Sequence, residues 1–434
     1  MPGRGFIVAA PQSGAGKTTV TIGLQRAFAR RGMAVSGAKC GPDYIDPAFH
    51  AAATGRPSIN LDGFAMPAAM LRGLAAEVAR DVDLVVAEGA MGLFDGARSD
   101  DRSGAPADIA RTLAWPVLLV VDASAAAQSV AAVAHGFATF PGAPHVAGII
   151  ANRIASDRHA EMVADGFARI GLPLLGMIRR DDRMRMPSRH LGLVQAGETV
   201  DLDATIDAIA DAVTERCDLD AIGGAAGIML DVPSPAPTIS PPGQRIAVAR
   251  DSAFAFFYPH MARWWRAAGA ELHFFSPLAD EAPPTGCDAC WLPGGYPELH
   301  GGKLAANRTF LDGLRGFATD RPIHGECGGY MVLGRTIEDA EGVKHEMAGL
   351  LPVDTSVAKK RMTLGYRRAV LRQDVAFATA RQPLQGHEFH YATIVAGQDE
   401  GEPFADIFDA EGNALPVAGH RAGGVTGSFF HLIA

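Results

Sequence analysis

Ala9-Ala10-Pro11-Gln12-Ser13-Gly14-Ala15-Gly16-Lys17-Thr18-Thr19 (AAPQSGAGKTT) follows the apolar run Gly5–Ala10 and precedes a stretch of helical character. The pattern G-x-x-x-x-G-K-[S/T] holds phosphates by surrounding them with backbone N–H groups and a helix N-terminus. Its lysine ammonium and Ser/Thr hydroxyl meet phosphate and Mg²⁺. Here Pro11 stands where the first glycine belongs, which removes one N–H where the loop begins. Ser13, Gly14, Ala15, Gly16, Lys17, Thr18 and Thr19 keep the rest of the cradle. Nucleotide binding is therefore expected between a first strand and a first helix.

Outward from this loop, short β-branched runs alternate with alanine-rich helical stretches. Gly5–Ala10, Ala34–Lys39, Asp83–Glu88, Val117–Asp122 and Val146–Asn152 read as buried strands. This alternation predicts an α/β fold, a parallel sheet with helices on both faces, whose ligands bind at the carboxyl ends of the strands. Near Leu219 the pattern dissolves into a Gly-, Ala-, Ser- and Pro-rich stretch, and then resumes at Arg245–Arg250, Glu271–Phe275, Ala289–Leu292 and Ile323–Gly325. Proline at this density suits neither sheet nor helix. The sequence thus predicts a first domain over 1–219, a linker over 220–243 and a second α/β domain over 244–434.

The 434 residues, 48% hydrophobic and 20% charged, with a net charge of −9, describe a globular protein without the basic excess of a nucleic-acid binder. The apolar runs are strand-length, short of the roughly 20 residues of a membrane span. The N-terminus lacks the shape of a signal peptide. A cytoplasmic protein is expected, without nucleic-acid or membrane partners. Five scattered cysteines, Cys40, Cys217, Cys287, Cys290 and Cys327, make no disulfide framework, and the lone Cys287/Cys290 pair lacks the further ligands of a zinc site.

Three further segments of the first half carry candidate chemistry at strand ends. Lys39-Cys40-Gly41-Pro42-Asp43-Tyr44-Ile45-Asp46-Pro47 offers a lysine for phosphate and carboxylates for metal, or else a Gly-Pro turn with solvated aspartates. Glu88, opening Glu88–Gly96 (EGAMGLFDG), follows an apolar run where an unpaired charge would be costly; Mg²⁺ is a natural partner, capping or solvation the alternative. Asn152 could bond a base edge or cap the next helix. The basic loop Arg179–His190 suits either open surface or a ligand with several carboxylates.

In the second half, Ile323-His324-Gly325-Glu326-Cys327-Gly328-Gly329-Tyr330-Met331 places a cysteine at a tight strand-to-helix turn, the geometry that exposes a nucleophile and aims N–H groups at an oxyanion. The helix N-terminus is expected to acidify Cys327. A second glycine turn, Leu292–Glu298, could complete the oxyanion hole, and His431 is the candidate base.

The set PGGYPE (293–298), GECGGYM (325–331) and a late histidine resembles the class I, triad-type glutamine amidotransferases of the cobyrinate branch. Adding KCGPDYIDP (39–47), EGAMGLFDG (88–96), PSRHLGL (187–193) and GHEFHY (386–391), nearly the whole chain is similar to the cobyrinic and hydrogenobyrinic acid a,c-diamide synthase family. The N-terminal half of that family is related to dethiobiotin synthetase. The resemblance implies an amidoligase that activates corrin acetate carboxylates with ATP and amidates them with ammonia from L-glutamine. Cys327 would attack glutamine, His431 would shuttle the proton, and the Gly295 and Gly328 N–H groups would hold the oxyanion. Lys17 would bind phosphate, and Thr18, Glu88 and one of Asp43 or Asp46 would hold Mg²⁺. Asn152 would face the adenine, while Lys39, Asp43, Tyr44, Asp46 and Asp95 would lie near the carboxylate being activated. The resemblance also implies a homodimer.

The wider class I carries a glutamate two residues after the histidine; here Ile433 stands there, which leaves open what orients His431. Two other readings remain. A cobyric acid synthase type would amidate other side chains. A P-loop switch ATPase would need a signature lysine early in the loop, and none stands in AAPQSG.

Overall fold

The computed structural model describes residues 3–98, 102–184, 186, 188–189, 192–193, 195–199, 201–229, 232, 239–416 and 418–434. The chain divides into two compact units, Met1–Ala236 and Pro237–Ala434.

The first unit is built on seven strands: β1 (Arg4–Ala9), β2 (Val35–Cys40), β3 (Ile59–Leu61), β4 (Leu84–Glu88), β5 (Val117–Asp122), β6 (Val146–Ile154) and β7 (Leu174–Arg179). They pair in the order β3-β2-β4-β1-β5-β6-β7, all parallel. β4 and β5 are buried along nearly their whole length because helices cover the sheet, and this is why they read as continuous apolar runs. Helix α1 (Lys17–Arg30) packs with Asp46–Thr54 and Leu202–Arg216, while Ala68–Arg80 packs with Pro106–Leu113 and Ser129–Thr139 with Asp157–Ala168. One core joins Phe6, Val8, Leu24, Phe28, Val86, Val120 and Ile150.

Part of the stretch whose composition suggests a linker is ordered structure of this first unit. Leu219–Ala225 is helical, with the Asp218 side chain accepting the Ala221 N–H, and Gly227–Ile228 pairs antiparallel with the start of β1. Short alanine- and glycine-rich elements carry little periodicity, so composition alone conceals them.

In the second unit ten strands pair in the order Glu271–Phe275, Arg245–Ala249, Ala289–Leu292, Ile323–Glu326, Val425–Ser428, Ala418–Ala422, Glu402–Asp409, Thr363–Leu371, Pro383–His390, His431–Leu432. The first five are parallel and the others antiparallel. The sheet thus carries the chain from Cys327 out through the antiparallel strands and back to His431. Among the described residues no helix is long and apolar enough to cross a membrane.

Candidate active site

The glycine-rich loop joins β1 to α1. Gly14 and Gly16 take φ of 79° and 93°, which only glycine adopts without strain, and Gly16 is the N-cap of α1. Pro11 lies beyond the end of β1, so its missing N–H removes no sheet bond. The Glu88–Gly96 loop lies against this turn: Gly89 N–H donates to Val8 O (2.8 Å) and Leu93 N–H to Ala10 O (2.8 Å).

That packing gathers the predicted residues. Thr18 Oγ1 donates to Glu88 Oε1 at 2.6 Å and lies 3.5 Å from Asp46 Oδ2. Lys39 Nζ sits among three carboxylates, 2.5 Å from Asp46, 3.1 Å from Glu88 and 3.7 Å from Asp43. Burial opposes the ammonium, but these anions outweigh it and hold Lys39 well above its usual range. Burial would likewise raise the Glu88 carboxyl; the charge of Lys39 and hydrogen bonds from His50 and Thr18 hold it far below the usual range. Asp46 is pushed up by burial and by the charges of Asp43 and Glu88. Lys39 thus meets three acids, of which Glu88 is held in its ionised form while Asp46 is pushed toward its neutral one.

The two candidate aspartates separate. Asp46 faces Thr18, whereas Asp43 Oδ1 accepts the Ile45 and Asp46 N–H groups and shapes the turn. Tyr44 is half-buried on that turn. Asp95 Oδ2 accepts Gly92 N–H, and its charge acts on Lys17. Lys17 Nζ donates to Gln12 O at 3.2 Å. Asn152 lies against the loop, its Nδ2 donating to Ala15 O at 2.9 Å, and a Cβ on Gly16 would come within 2.2 Å of that nitrogen. The next helix is capped by Ser156 instead. In the basic loop, Arg179 pairs with Asp157, and Arg183 with Asp181 at 2.6 Å. Arg185, Pro187, His190 and Leu191, and with them much of the PSRHLGL motif, lie outside the described residues.

Sequence reasoning missed His50. It is fully buried, with Nε2 2.8 Å from Glu88 Oε2 and Nδ1 3.2 Å from Ser58 Oγ. Its signal was present: His50 stands four residues after Asp46, on one face of the Asp46–Thr54 helix.

Among the described residues no three His, Cys, Asp or Glu side chains form a metal site by themselves. Mg²⁺ does not require one, since it keeps waters and substrate phosphates and takes one or two carboxylates from the protein. The Thr18 hydroxyl beside the Glu88 and Asp46 carboxyls fits that demand.

In the second unit Cys327 follows the Ile323–Glu326 strand and caps the Gly328–Leu333 helix with φ 48° and ψ −104°. This backbone is costly for a residue with a Cβ and is held by Cys327 N–H to Ser428 O (2.8 Å) and Met331 N–H to Cys327 O (3.0 Å). The surrounding glycines are required by contact. A Cβ on Gly329 would lie 2.0 Å from Leu292 O, one on Gly295 2.0 Å from Ala253 O, and one on Gly328 3.1 Å from Gly295 N. A Cβ on Gly294 would lie 2.4 Å from His431 Cε1. The Gly294-Gly295 turn therefore touches His431 on one side and Gly328 on the other, so the turn, the cysteine elbow and the histidine form one site.

The histidines of this site are uncharged. His431 is stacked on His387, with ring centroids 4.9 Å apart. Burial, with help from the charges of His387 and His390, lowers its pKa far below the ordinary value, so its imidazole is neutral. The expected acidification of Cys327 is not found: burial and the nearby Glu298 charge push the thiol up, against one opposing hydrogen bond from Gly328. A six-residue helix offers too weak a dipole to offset full burial. Burial raises Glu298 itself to about 7, and it lines a cavity of about 450 Å³ with His300 and Lys303.

A nucleotide-loop unit followed by a cysteine elbow with a neutral histidine defines the class: enzymes that ligate an amide nitrogen taken from glutamine. Comparison with known proteins agrees. Residues 6–194 match the family described as CobQ/CobB/MinD/ParA nucleotide binding domain, and residues 245–434 that described as CobB/CobQ-like glutamine amidotransferase domain. The chain is 53% identical to the hydrogenobyrinate a,c-diamide synthase of Mesorhizobium japonicum, with 100% of this chain and 99% of that one covered. It is 52% identical to the synthases of the same name from Agrobacterium fabrum (100% and 99% covered) and Rhodobacter capsulatus (99% of each). The chain belongs to the hydrogenobyrinate a,c-diamide synthase family.

Proposed function

We propose that this enzyme converts the a and c acetate carboxylates of hydrogenobyrinic acid to amides, consuming ATP and glutamine for each. One observation carries the reading: a charged phosphate-loop cluster and a glutaminase elbow occur in one chain that aligns end to end with synthases of that name. A carboxylate resists ammonia because attack must add electrons to an anion and expel oxide. Phosphorylation by ATP gives an acyl phosphate whose leaving group is competent. Lys17 and the loop N–H groups hold the phosphates, Lys39 and Asp95 stand at the carboxylate being activated, and Asn152 faces the base. Thr18, Glu88 and Asp46 would hold Mg²⁺, which neutralises phosphate charge when bound.

In the second unit the Cys327 sulfur bonds to the amide carbon of glutamine while His431 takes the thiol proton. The Gly295 and Gly328 N–H groups stabilise the oxyanion. His431 returns the proton to the departing nitrogen, ammonia leaves, and water hydrolyses the thioester to glutamate. That ammonia is the nucleophile for the acyl phosphate. Work as a two-fold homodimer in the cytoplasm belongs to the same proposal.

The test is mass spectrometry after incubation with glutamine, Mg-ATP and either hydrogenobyrinic or cobyrinic acid. Two amides gained on hydrogenobyrinic acid are expected. No mass change on either acid, with ATP intact, would sink the reading.

A further inference from the structure

The wider amidotransferase class positions its histidine with a carboxylate two residues further on, and Ile433 has no atom for that task. A carboxyl comes from elsewhere. Glu326, the residue before Cys327, accepts at its Oε1 the backbone N–H of Leu432, the residue after His431, at 2.9 Å. We propose that Glu326 is the positioning residue of the glutaminase site: by holding the Leu432 N–H it sets His431 in place against Cys327. The proposal rests on the assignment of Cys327 and His431 as nucleophile and base.

Several features make this bond decisive for the placement of the imidazole. The histidine strand is only two residues long and pairs on one side, with Gly386 and His387. Ile433 and Ala434 continue that hold through their N–H groups to Gln385 O at 2.9 and 3.2 Å. The Leu432 N–H points away from this ladder, into the protein, and Glu326 meets it there. His260 Nε2 secures Ile433 O at 3.1 Å, so the segment is fixed from two elements beyond its own sheet partner. Glu326 and His431 are 2% and 1% exposed, so no water competes for the bond.

The bond also ties nucleophile to base directly. Glu326 and Cys327 are consecutive, as are His431 and Leu432, so movement of either catalytic residue strains one connection. An acceptor is needed here, and charge is not. Burial raises Glu326 to about 8, so its carboxyl is largely protonated at neutral pH and is close in shape and polarity to an amide.

The experiment compares Glu326→Ala and Glu326→Gln in the full-length enzyme. Glutaminase kcat and KM are measured, along with synthesis driven by ammonia. Glu326→Ala is expected to lose about a hundredfold in glutaminase kcat, the scale of an ångström-level misplacement, with KM for glutamine and ammonia-driven synthesis retained. Glu326→Gln keeps the acceptor and is expected to restore kcat. A Glu326→Ala enzyme with the parental glutaminase kcat overturns the proposal, as does a Glu326→Gln enzyme that falls as far as alanine. Should Glu326→Ala fail to fold, Glu326→Asp serves, since it draws the carboxyl back by one methylene; a parental kcat there overturns the proposal equally. Failure of the underlying assignment has its own signature, a His431→Ala or Cys327→Ser enzyme that still hydrolyses glutamine.

Discussion

Both units place their chemistry at the same spot, a turn between the carboxyl end of a buried strand and the N-terminus of a helix, and fill it with opposite materials. In the first unit a glycine takes the left-handed backbone, and the site is made of ionisable side chains pressed against one another: Lys17, Lys39, Asp46 and Glu88. In the second the cysteine itself takes the unusual backbone, and the groups around it are glycine N–H bonds, a stacked pair of neutral histidines and buried carboxyls whose pKa values are raised. A transferring phosphoryl group needs fixed charge around it. A thiol attack begins from neutral groups and needs a base free to accept one proton.

The strongest challenge to this division is Lys17→Ala. Loss of synthesis by about a thousandfold or more is expected with glutamine and with ammonia alike, while glutamine hydrolysis persists. Paired assays with both nitrogen donors decide it, and survival of either synthesis breaks the division. Cys327→Ser gives the mirror image: glutamine-driven synthesis falls to background and ammonia-driven synthesis continues. Loss of both would mean that the sites are not separable.

His50→Ala sharpens the contrast at the outer shell. It strips the partner from Glu88 Oε2, and synthesis with either donor is expected to fall about ten- to a hundredfold, the usual range for residues that orient metal-binding groups. A weaker Mg²⁺ activation curve should accompany the fall, and unchanged activation would remove His50 from the site.

Acid separates the units most gently. In the second unit burial lowers His260 to about 4, and His324 and His387 to about 3. The unfolded chain binds those protons near pH 6.5, so between these values it carries more protons than the folded one. Stability therefore declines as pH falls, by about 1.4 kcal/mol per pH unit for each histidine, offset in part by Glu298 and Glu326, whose raised values favour the folded state over the same range. In the first unit the lowered Glu88 contributes stability that is full above 4.5, and the raised Asp46 shifts the opposite way. Trp264, Trp265 and Trp291, three of the four tryptophans, report on the second unit. Urea titrations followed by fluorescence should shift to lower urea between pH 7 and 5 more than far-UV circular dichroism does. Equal shifts would contradict the neutral-histidine description.

Legibility in the sequence followed burial and local pattern. β4 and β5, covered on both faces, stand out as apolar runs, and Lys39, Glu88 and Cys327 fall at the ends of readable strands. Thr363–Leu371 and Pro383–His390 do not stand out, because antiparallel strands with partly exposed faces mix arginine, glutamine and histidine into the pattern. Glu326 was illegible as a site residue, and His50 was legible only as a neighbour of Asp46 on one helix face. Each acts through a contact across distant sequence, 38 residues to Glu88 and 106 to Leu432.

The sheet order of the second unit has a consequence for how the molecule is made. The strand that presents Cys327 has two parallel neighbours, Ala289–Leu292 before it and Val425–Ser428 roughly a hundred residues later in the chain. A ribosome adding about 5–20 residues per second needs on the order of 5–20 s to supply it. During that interval the nascent elbow lacks one of its two flanking strands and its histidine. Pairing over such a separation is slow and comes late in folding. A growing chain therefore carries its nucleotide-loop unit in full well before the cysteine elbow has its neighbouring strand and its histidine.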